Sequence, residues 1–229
     1  MFAIFTVGAA FGIGNMTQAN SAAAAVQQVF GIDTSTTGFV LMVLTGLVLI
    51  GGIRSIGRFT SMLVPFMIVA YLTAALIVIG INIDEVPAAF HLIFWHAFNP
   101  IAAGGGFAGA AVAAAIRYGV ARGVFSNESG LGSAPIAAAA ARTNDSVKQA
   151  LVSMTQTFID TLVVCTATAL VILTATAWQD GVKANILTSI SFAETLGATG
   201  TYIVAIATAL FAFSTLIGWS YYGEKALEY

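Results

Sequence analysis

The stretch from Thr195 to Gly223 reads TLGATGTYIVAIATALFAFSTLIGWSYYG and contains no charged residue. A helix needs about 20 mostly apolar residues to cross a bilayer, so this stretch is long enough to span one. Comparable stretches recur at residues 1–32, 34–53, 59–83, 86–116 and 149–179, the last interrupted only by Asp160. The repetition predicts an all-α membrane protein with several spanning helices.

The composition excludes the other broad classes of protein. Charged residues make up 8% of the chain, against about 25% in an average soluble protein, and the mean hydropathy is +0.93. Eight Lys and Arg against ten Asp and Glu offer no basic stripe for nucleic acid. A single cysteine, Cys165, excludes a disulfide scaffold. Long runs that are apolar at every position also argue against the alternating strands of an outer-membrane barrel.

The hydrophobic pattern predicts six spanning helices in one transmembrane domain that covers residues 1–229. Their expected bounds are 3–29, 37–53, 60–82, 105–140 with a break near residue 123, 148–177 and 199–222. Basic residues fall in every second connection, and these are Arg54, Arg58, Arg142, Lys148 and Lys225. Because positive residues stay on the cytoplasmic side, we expect the first helix to run from inside to outside in the plasma membrane.

Three connections fall on the opposite, non-cytoplasmic side, and the first of them, residues 27–36, carries only Asp33. We expect Val86–Phe98 to be an amphipathic segment, with Trp95 and Phe98 at the level of the lipid headgroups. We expect Trp178–Gly200, whose only basic residue is Lys183, to be a loop. His91 and His96 are five residues apart, which suits interfacial polar residues better than a shared metal ion.

Polar residues within spanning helices mark either packing contacts or binding sites, because lipid offers them no partner. In the first helix, Asn15 and Gln18 are three apart and share a face. Two amides on one face suit either a polar solute or a hydrogen bond to a neighbouring helix, with Gly12 and Gly14 allowing close packing. Both interpretations remain open at this point.

The fourth segment carries glycines, hydroxyls and charges between two alanine-rich runs, which a continuous lipid-facing helix would not tolerate. We interpret it as a helix broken at membrane depth. Gly123 would give the backbone freedom, and Ser126 and Asn127 would cap a second half-helix whose free N–H groups can hold a carboxylate. The alternative is a helix that ends near Gly123, followed by a cytoplasmic loop and a short helix from Ser133.

The charges of the fourth segment predict a contact of their own. A lone charge at membrane depth is costly, so we expect Arg122 and Glu128 to be coupled across the break. The alternative is that Glu128 complements the N-terminal dipole of the second half-helix.

Two further polar groups lie in the fifth and sixth helices. The fifth carries a predicted stripe made of Ser153, Thr157, Asp160, Thr161 and Thr168. Asp160 is either a cation or proton site or a structural carboxylate. In the sixth helix, Ser214 and Thr215 are compatible with sodium coordination, although such hydroxyls also bond to their own helix carbonyls.

Several of these stretches resemble one known family. The run Gly119–Pro135, GVARGVFSNESGLGSAP, is similar to the signature of the alanine/glycine:cation symporter family, with Ser129 where the family pattern has Ala. The run FAFST at 211–215, followed by YYGE at 221–224, is similar too, as is FIDT at 158–161 leading to Cys165. The resemblance extends over the whole chain.

The resemblance implies a LeuT-type five-plus-five inverted-repeat fold, of which this chain would supply core helices three to eight. The family's Gly-Thr-Gly-Asn segment is not in the sequence, so we expect an internal piece of a longer transporter that cannot transport alone. The implied activity is sodium-coupled symport of small neutral amino acids such as alanine or glycine. The resemblance also implies a sodium ion as coupling ion, no other cofactor, no catalytic residue and no nucleic-acid partner.

The resemblance also assigns roles to residues. Sodium is expected at Ser214 and Thr215, and gating or structural roles fall to Arg122, Glu128 and Asp160. The expected substrate-binding residues are Asn15, Gln18, Gly123, Phe125, Ser126 and Asn127, with Phe125 limiting the size of the substrate side chain.

Two other functions remain as alternatives. A channel or a non-transporting membrane subunit is not excluded by one sequence. An intramembrane hydrolase is less favoured, because serine chemistry needs a nearby base and aspartyl chemistry needs two paired Asp. Asp160 is the only clear intramembrane Asp, and neither histidine lies in a predicted spanning helix.

Overall fold

The computed structural model describes residues 1–98, 106–128 and 130–229, and every regular element in these ranges is helical. This confirms the all-α prediction for the described ranges. In chain order the elements are α1 Phe2–Ala9, the π-helical segment π1 Ala10–Met16, α2 Thr17–Phe30, α3 Thr34–Ile50, α4 Gly52–Ile81, a 3-10 turn Ile83–Glu85, α5 Val86–Phe98, α6 Gly106–Asn127, α7 Ala134–Ala138, α8 Ser146–Thr157, the π-helical segment π2 Phe158–Cys165, α9 Thr166–Thr174, α10 Ala184–Leu196 and α11 Ala198–Glu228.

Local capping residues explain where several helices begin and end. Gly31 adopts the left-handed conformation (φ 69°) that ends α2. Asp33 then starts α3, with its carboxylate accepting the Ser35 N–H at 2.9 Å. Asp145 starts α8 in the same way, by accepting the N–H groups of Val147 and Lys148 at 2.9 and 3.2 Å.

Three helices in the described ranges are long and apolar enough to cross a membrane. They are Gly52–Ile81, Ser146–Thr174, which comprises α8, π2 and α9, and Ala198–Glu228. They correspond to the predicted spans 60–82, 148–177 and 199–222, which makes the chain a multi-pass membrane protein by length and composition. The other three predicted spans, 3–29, 37–53 and 105–140, remain predictions. For two of them the reason is plain, since α3 has only 17 residues and the first helix carries a polar stretch.

The last helix, α11, lies at the centre of the packing. One buried cluster joins its residues Phe213 and Ile217 to Leu41 of α3 and Ile56 of α4. A second cluster lies nearer the start of α11, and it contains Tyr71 and Val78 of α4, Val171 of α9, Phe192 of α10 and Val204 of α11. The polar cavity described below lies against the same helix.

The predicted break near Gly123 is wrong in its position. α6 continues through Gly123 to Asn127, and the described residues that follow, Glu128 and 130–133, are not helical. The positive φ angles are at Glu128 (56°), Gly130 (83°) and Gly132 (86°), which is where the chain leaves the helix. A glycine within a helix is tolerated at a cost of about 1 kcal/mol, so Gly123 alone does not end α6.

The predicted caps of the second half-helix are wrong for the same reason. Ser126 and Asn127 lie in the last turn of α6, and α7 begins after Ser133 without a side-chain cap. The departure from the family pattern at Ser129 lies outside the described residues.

Two predicted connections are helical. α4 begins at Gly52, so Arg54 and Arg58 lie in its first turns. Arginine is a good helix former, and a basic residue at the edge of a membrane can therefore lie within the helix. The expected loop Trp178–Gly200 contains α10, and Gly197 (φ 61°) makes the turn into α11. The amphipathic segment Val86–Phe98 is a helix as expected, and His91 stacks on Trp95 with ring centroids 5.8 Å apart.

Candidate functional site

Two π-helical segments interrupt long helices at the polar residues that the sequence singles out. In π1 the Asn15 Nδ2 donates to the carbonyl oxygen of Ala10, five residues earlier, at 2.8 Å. Gln18 Nε2 donates to Ile13 O at 3.4 Å with the same spacing. π2 contains Asp160, and just after it Thr166 Oγ1 donates to Thr161 O at 3.2 Å. Single π turns inside α-helices occur frequently at functional sites.

A cavity of about 490 Å³ lies between the start of α2, the end of α6, π2 with the start of α9, and α4, α10 and α11. Its charged lining residues are Asp160 and Glu128, so the lining carries negative charge and no basic side chain among the described residues. Gln18 supplies an amide, and Ser126 and Thr215 are two of several hydroxyls. Such a lining suits a cation or the ammonium group of a small solute.

Asp160 connects π2 to the end of α6. The Ser126 hydroxyl donates to the two carboxylate oxygens of Asp160, at 3.0 and 2.8 Å. One residue on, Asn127 Nδ2 donates to Thr161 Oγ1 at 3.4 Å. Cys165 Sγ lies 3.9 Å from Ser126 Oγ on the same side. Contacts between these residues bring the predicted fourth and fifth segments together at the cavity.

Only some residues of the expected stripe on the fifth helix lie on one common surface, the wall of the cavity. Asp160 and Thr168 both line the cavity, and Tyr71 OH lies 2.7 Å from Thr168 Oγ1. Because the Thr168 hydrogen goes to Val164 O at 2.8 Å, Tyr71 is the donor. Ser153 and Thr157 are not among the lining residues, since π2 changes the register of the helix between them and Thr168.

An aromatic pair, Phe125 and Trp219, forms a further part of the cavity lining. Phe125 stacks on Trp219, with ring centroids 5.6 Å apart and an angle of 15° between the planes. Trp219 packs on π1 so closely that a Cβ on Gly14 would lie 2.6 Å from its Cγ. The expected close packing at Gly14 is therefore confirmed, whereas Gly12 has no neighbour within that range. Sequence reasoning missed Trp219, although a tryptophan in the middle of an apolar span is a signal.

The two amides of the first helix have different surroundings. Gln18 lines the cavity. Asn15 instead accepts a hydrogen bond from Ser220 Oγ at 3.3 Å, which joins π1 to α11 as the helix-packing alternative predicts. Gly123 is on an exposed part of α6 and does not line this cavity in the described residues.

The expected pair of Arg122 and Glu128 is wrong. Both residues belong to the described part of the chain, and the ion pairs found there join Lys225 to Glu224 and Glu228. Glu128 accepts hydrogen bonds from Ser133 Oγ at 3.0 Å and from Tyr222. Neutral hydroxyls thus solvate its carboxylate, which removes the need for a basic partner, and Arg122 is exposed on α6.

Ser214 and Thr215 both donate to the carbonyl oxygen of Phe211, at 2.8 and 2.9 Å. This is the back-bonding that the sequence left as an alternative. Thr215 lines the cavity and Ser214 does not. Among the described residues, no three His, Cys, Asp or Glu side chains cluster as metal ligands would.

Comparison with known proteins identifies a family and several relatives of this chain. The family model described as the sodium:alanine symporter family matches residues 1–229. The chain is 53% identical to the sodium/alanine symporter AgcS of Methanococcus maripaludis, over 100% of the chain and 50% of that protein. It is 38% identical to the probable sodium/glutamine symporter GlnT of Bacillus subtilis, over 94% of the chain and 44% of the relative.

A third relative is the sodium/proton-dependent alanine carrier protein of Bacillus sp. strain PS3, which is 35% identical over 93% of the chain and 50% of its own length. The chain spans about half the length of these curated relatives. A match along all its residues, together with 53% identity to one member, shows that the chain belongs to the sodium:alanine symporter family.

Proposed function

We propose that the protein containing this chain is a sodium-coupled symporter that carries a small neutral amino acid, such as alanine or glycine, across the plasma membrane. The observation that carries the proposal is the cavity lined by two carboxylates, several hydroxyls and the Phe125–Trp219 stack. Membership of a symporter family supports it. So do the names of relatives, which include sodium, alanine and glutamine carriers.

The proposed architecture is the LeuT-type inverted repeat, with this chain supplying core helices three to eight. Two features support it. The fourth segment is interrupted after Asn127, beside the cavity, as a broken transporter helix would be. The alternating loop charges also give the first helix the inside-to-outside direction expected of core helix three.

The amino acid would bind between Gln18, Phe125 and Ser126. The amide of Gln18 can donate to a carboxylate or accept from an ammonium group. Asp160, already held by Ser126, would attract the ammonium group of the substrate. The stacked ring of Phe125 would then face the substrate side chain and limit its size, which matches a preference for alanine and glycine. Asn127 would hold the end of α6 beside Thr161 rather than contact the substrate.

Sodium would bind near Thr215, with Ser214 contributing from the same turn. Sodium is a hard cation that prefers oxygen ligands. Both hydroxyls give their hydrogen to the Phe211 carbonyl, so their oxygen lone pairs remain available to a cation. Neutral hydroxyls also leave no fixed buried charge when the ion departs, which a reversible carrier requires.

The direct test is transport in liposomes by the protein expressed from its complete reading frame. Labelled alanine should accumulate under an inward sodium gradient and not under an equal potassium gradient, and a proton gradient alone should drive little uptake. Preloaded unlabelled alanine should accelerate entry of the label, since a carrier exchanges solute and a channel does not. Sodium-independent flux without this exchange would contradict the proposal and favour a channel.

A further inference from the structure

The end of α9 is closed by a carboxylate from another helix. The chain leaves α9 at Ala175, where the backbone is extended (φ −90°, ψ 168°). The next two backbone nitrogens, of Thr176 and Ala177, both donate to Glu194 on α10, one to each carboxylate oxygen, at 2.7 and 2.9 Å. The Thr176 hydroxyl adds a third donor at 3.2 Å. Successive N–H groups in a turn form a concave anion site, and here a side chain of the same chain fills it.

The contact requires a carboxylate. Both oxygens of Glu194 are acceptors, and each receives one backbone N–H. A glutamine would place its NH₂ group, which only donates, against one of these N–H groups. Ala177 is only 2% exposed, so its N–H has little access to water as a substitute partner.

Two further contacts hold the same end of α10. Thr195, the next residue, accepts a hydrogen bond at 2.8 Å from the side chain of Asn82, which ends α4. On the side of α11, a Cβ on Gly200 would collide with the carbonyl oxygen of Phe192, so the two helices pack backbone against backbone. The last turn of α10 is thus joined to α4, α9 and α11, and Glu194 supplies the link to α9.

The earlier part of α10 belongs to the cavity wall. Thr188 and Ser189 line the cavity, six and five residues before Glu194, which corresponds to about 9 and 7.5 Å along a helix axis. Between them and Glu194 lies Phe192, which is fully buried with its ring 5.8 Å from that of Tyr71, another lining residue. Glu194 itself lies outside the lining that the described residues form. It can therefore affect the cavity only through the placement of α10.

We propose that Glu194 is a positioning residue for the cavity. By closing the end of α9 with its carboxylate, it fixes the position at which α10 presents Thr188 and Ser189 to the bound solute. That the solute is a small neutral amino acid rests on the proposed function. The placement of α10 does not, because it can be measured without any substrate.

The first experiment measures the placement of α10 directly. Spin labels are attached to Lys183→Cys, at the start of α10, and to Thr36→Cys, in the first turn of α3, because both positions are exposed. The protein is expressed from its complete reading frame, with its other cysteines replaced, and the distribution of distances between the labels is recorded by double electron–electron resonance. Glu194→Gln should broaden and shift this distribution. Glu85→Gln is the matched control, since it makes the same change at an exposed residue beside the end of α4 and should leave the distribution unaltered.

The second experiment tests whether Glu194 acts through the cavity wall. Alanine affinity is measured for Glu194→Gln, Thr188→Val and the double variant. If Glu194 positions Thr188, each single substitution should weaken binding several-fold, and Thr188→Val should cost much less once Glu194 is already changed. A general loss of stability would instead reduce the amount of folded protein and leave the two effects on affinity additive.

The two experiments separate this proposal from the proposed function. A broadened distance distribution in Glu194→Gln together with non-additive losses of alanine affinity supports the positioning role. An unchanged distribution overturns it, as do normal alanine affinity in Glu194→Gln or additive effects in the double variant. If the unaltered protein binds no alanine, the proposed function fails, and the distance distributions still decide whether Glu194 places α10.

Discussion

The hydroxyl of Ser126 donates to both carboxylate oxygens of Asp160, at 3.0 and 2.8 Å, across 34 positions of sequence. Ser126 lies in the last turn of α6 and Asp160 lies within π2, so this contact joins two helices at the wall of the cavity. This hydrogen bond fixes the orientation of the Asp160 carboxylate and hence the position of its negative charge. A binding site for a cation or an ammonium group requires such a fixed charge.

Removing the charge of Asp160 should abolish or strongly reduce transport. Asp160→Asn keeps the shape but not the charge, and Ser126→Ala removes the donor that orients the carboxylate. A hydrogen bond to a charged group contributes about 1.5–3 kcal/mol, so we expect Ser126→Ala to weaken alanine binding by an amount in this range. Alanine affinity in purified protein is the measurement. Asp180→Asn, at an exposed residue outside the cavity, is the control and should bind normally. Normal binding in both cavity variants would show that Asp160 has only a structural role.

Gln18→Ala should weaken alanine binding by about 1–3 kcal/mol, because the substrate would lose a hydrogen-bond partner in the cavity. Gln27 is the matched control, since it lies on the same helix, is exposed and is outside the lining of the cavity. Equilibrium binding of labelled alanine to both variants makes the comparison. If Gln18→Ala and Gln27→Ala bind equally well, the Gln18 amide has no role in substrate recognition.

Thr215→Val should raise the sodium concentration needed for half-maximal alanine uptake while expression persists. The substitution keeps the shape of the side chain and removes the oxygen that we assign to the ion. Thr174→Val is the control, because Thr174 Oγ1 also bonds to its own helix, at 2.9 Å from Leu170 O, but lies outside the cavity. An unchanged sodium dependence in Thr215→Val would mean that this hydroxyl serves only its own helix.

Phe125→Ala should widen substrate choice. Loss of the ring that stacks on Trp219 opens space beside the substrate side chain, so uptake of leucine relative to alanine should rise. Competition of unlabelled leucine against labelled alanine measures the ratio. The control is Phe90→Ala, which removes an exposed ring that stacks on Phe94. Phe90 is far in sequence from Phe125, so this variant should leave selectivity unchanged. Equal ratios in the two variants would remove Phe125 from the selectivity site.

Glu128 and Tyr222 should be energetically coupled, whereas Glu128 and Arg122 should not. In a double-mutant cycle of thermal unfolding in detergent, Glu128→Ala and Tyr222→Phe should show a coupling of about 0.5–3 kcal/mol, typical of residues in one hydrogen-bond network. The control cycle combines Glu128→Ala with Arg122→Ala and should be additive, because no ion pair joins these two described residues. Coupling in the control cycle would restore the ion pair that the sequence suggested.

Properties that depend on composition and on short-range patterns were predictable from the sequence. Charge-free runs of membrane length predicted an all-α protein, and the predicted span 199–222 falls inside the observed α11, Ala198–Glu228. Gln18 and Ser126, which line the cavity, were identified because a polar interruption of an apolar run is visible in one dimension, whereas Phe125 was named through the family resemblance. Resemblance of whole motifs identified the family.

Tertiary structure decided what depends on register and on distant partners. The π turns shift the faces of the first and fifth helices, and no periodicity count foresees them. Glu128 takes Ser133 and Tyr222 as partners instead of Arg122, because the chain leaves the helix after Asn127 and α11 lies beside this break. Asn15 and Gln18 looked equivalent in sequence, and only the position of Ser220 on α11 directs one amide to packing and leaves the other in the cavity. The spacing of residues in the sequence determines which face of a helix each one occupies, whereas only the tertiary fold determines which residues that face contacts.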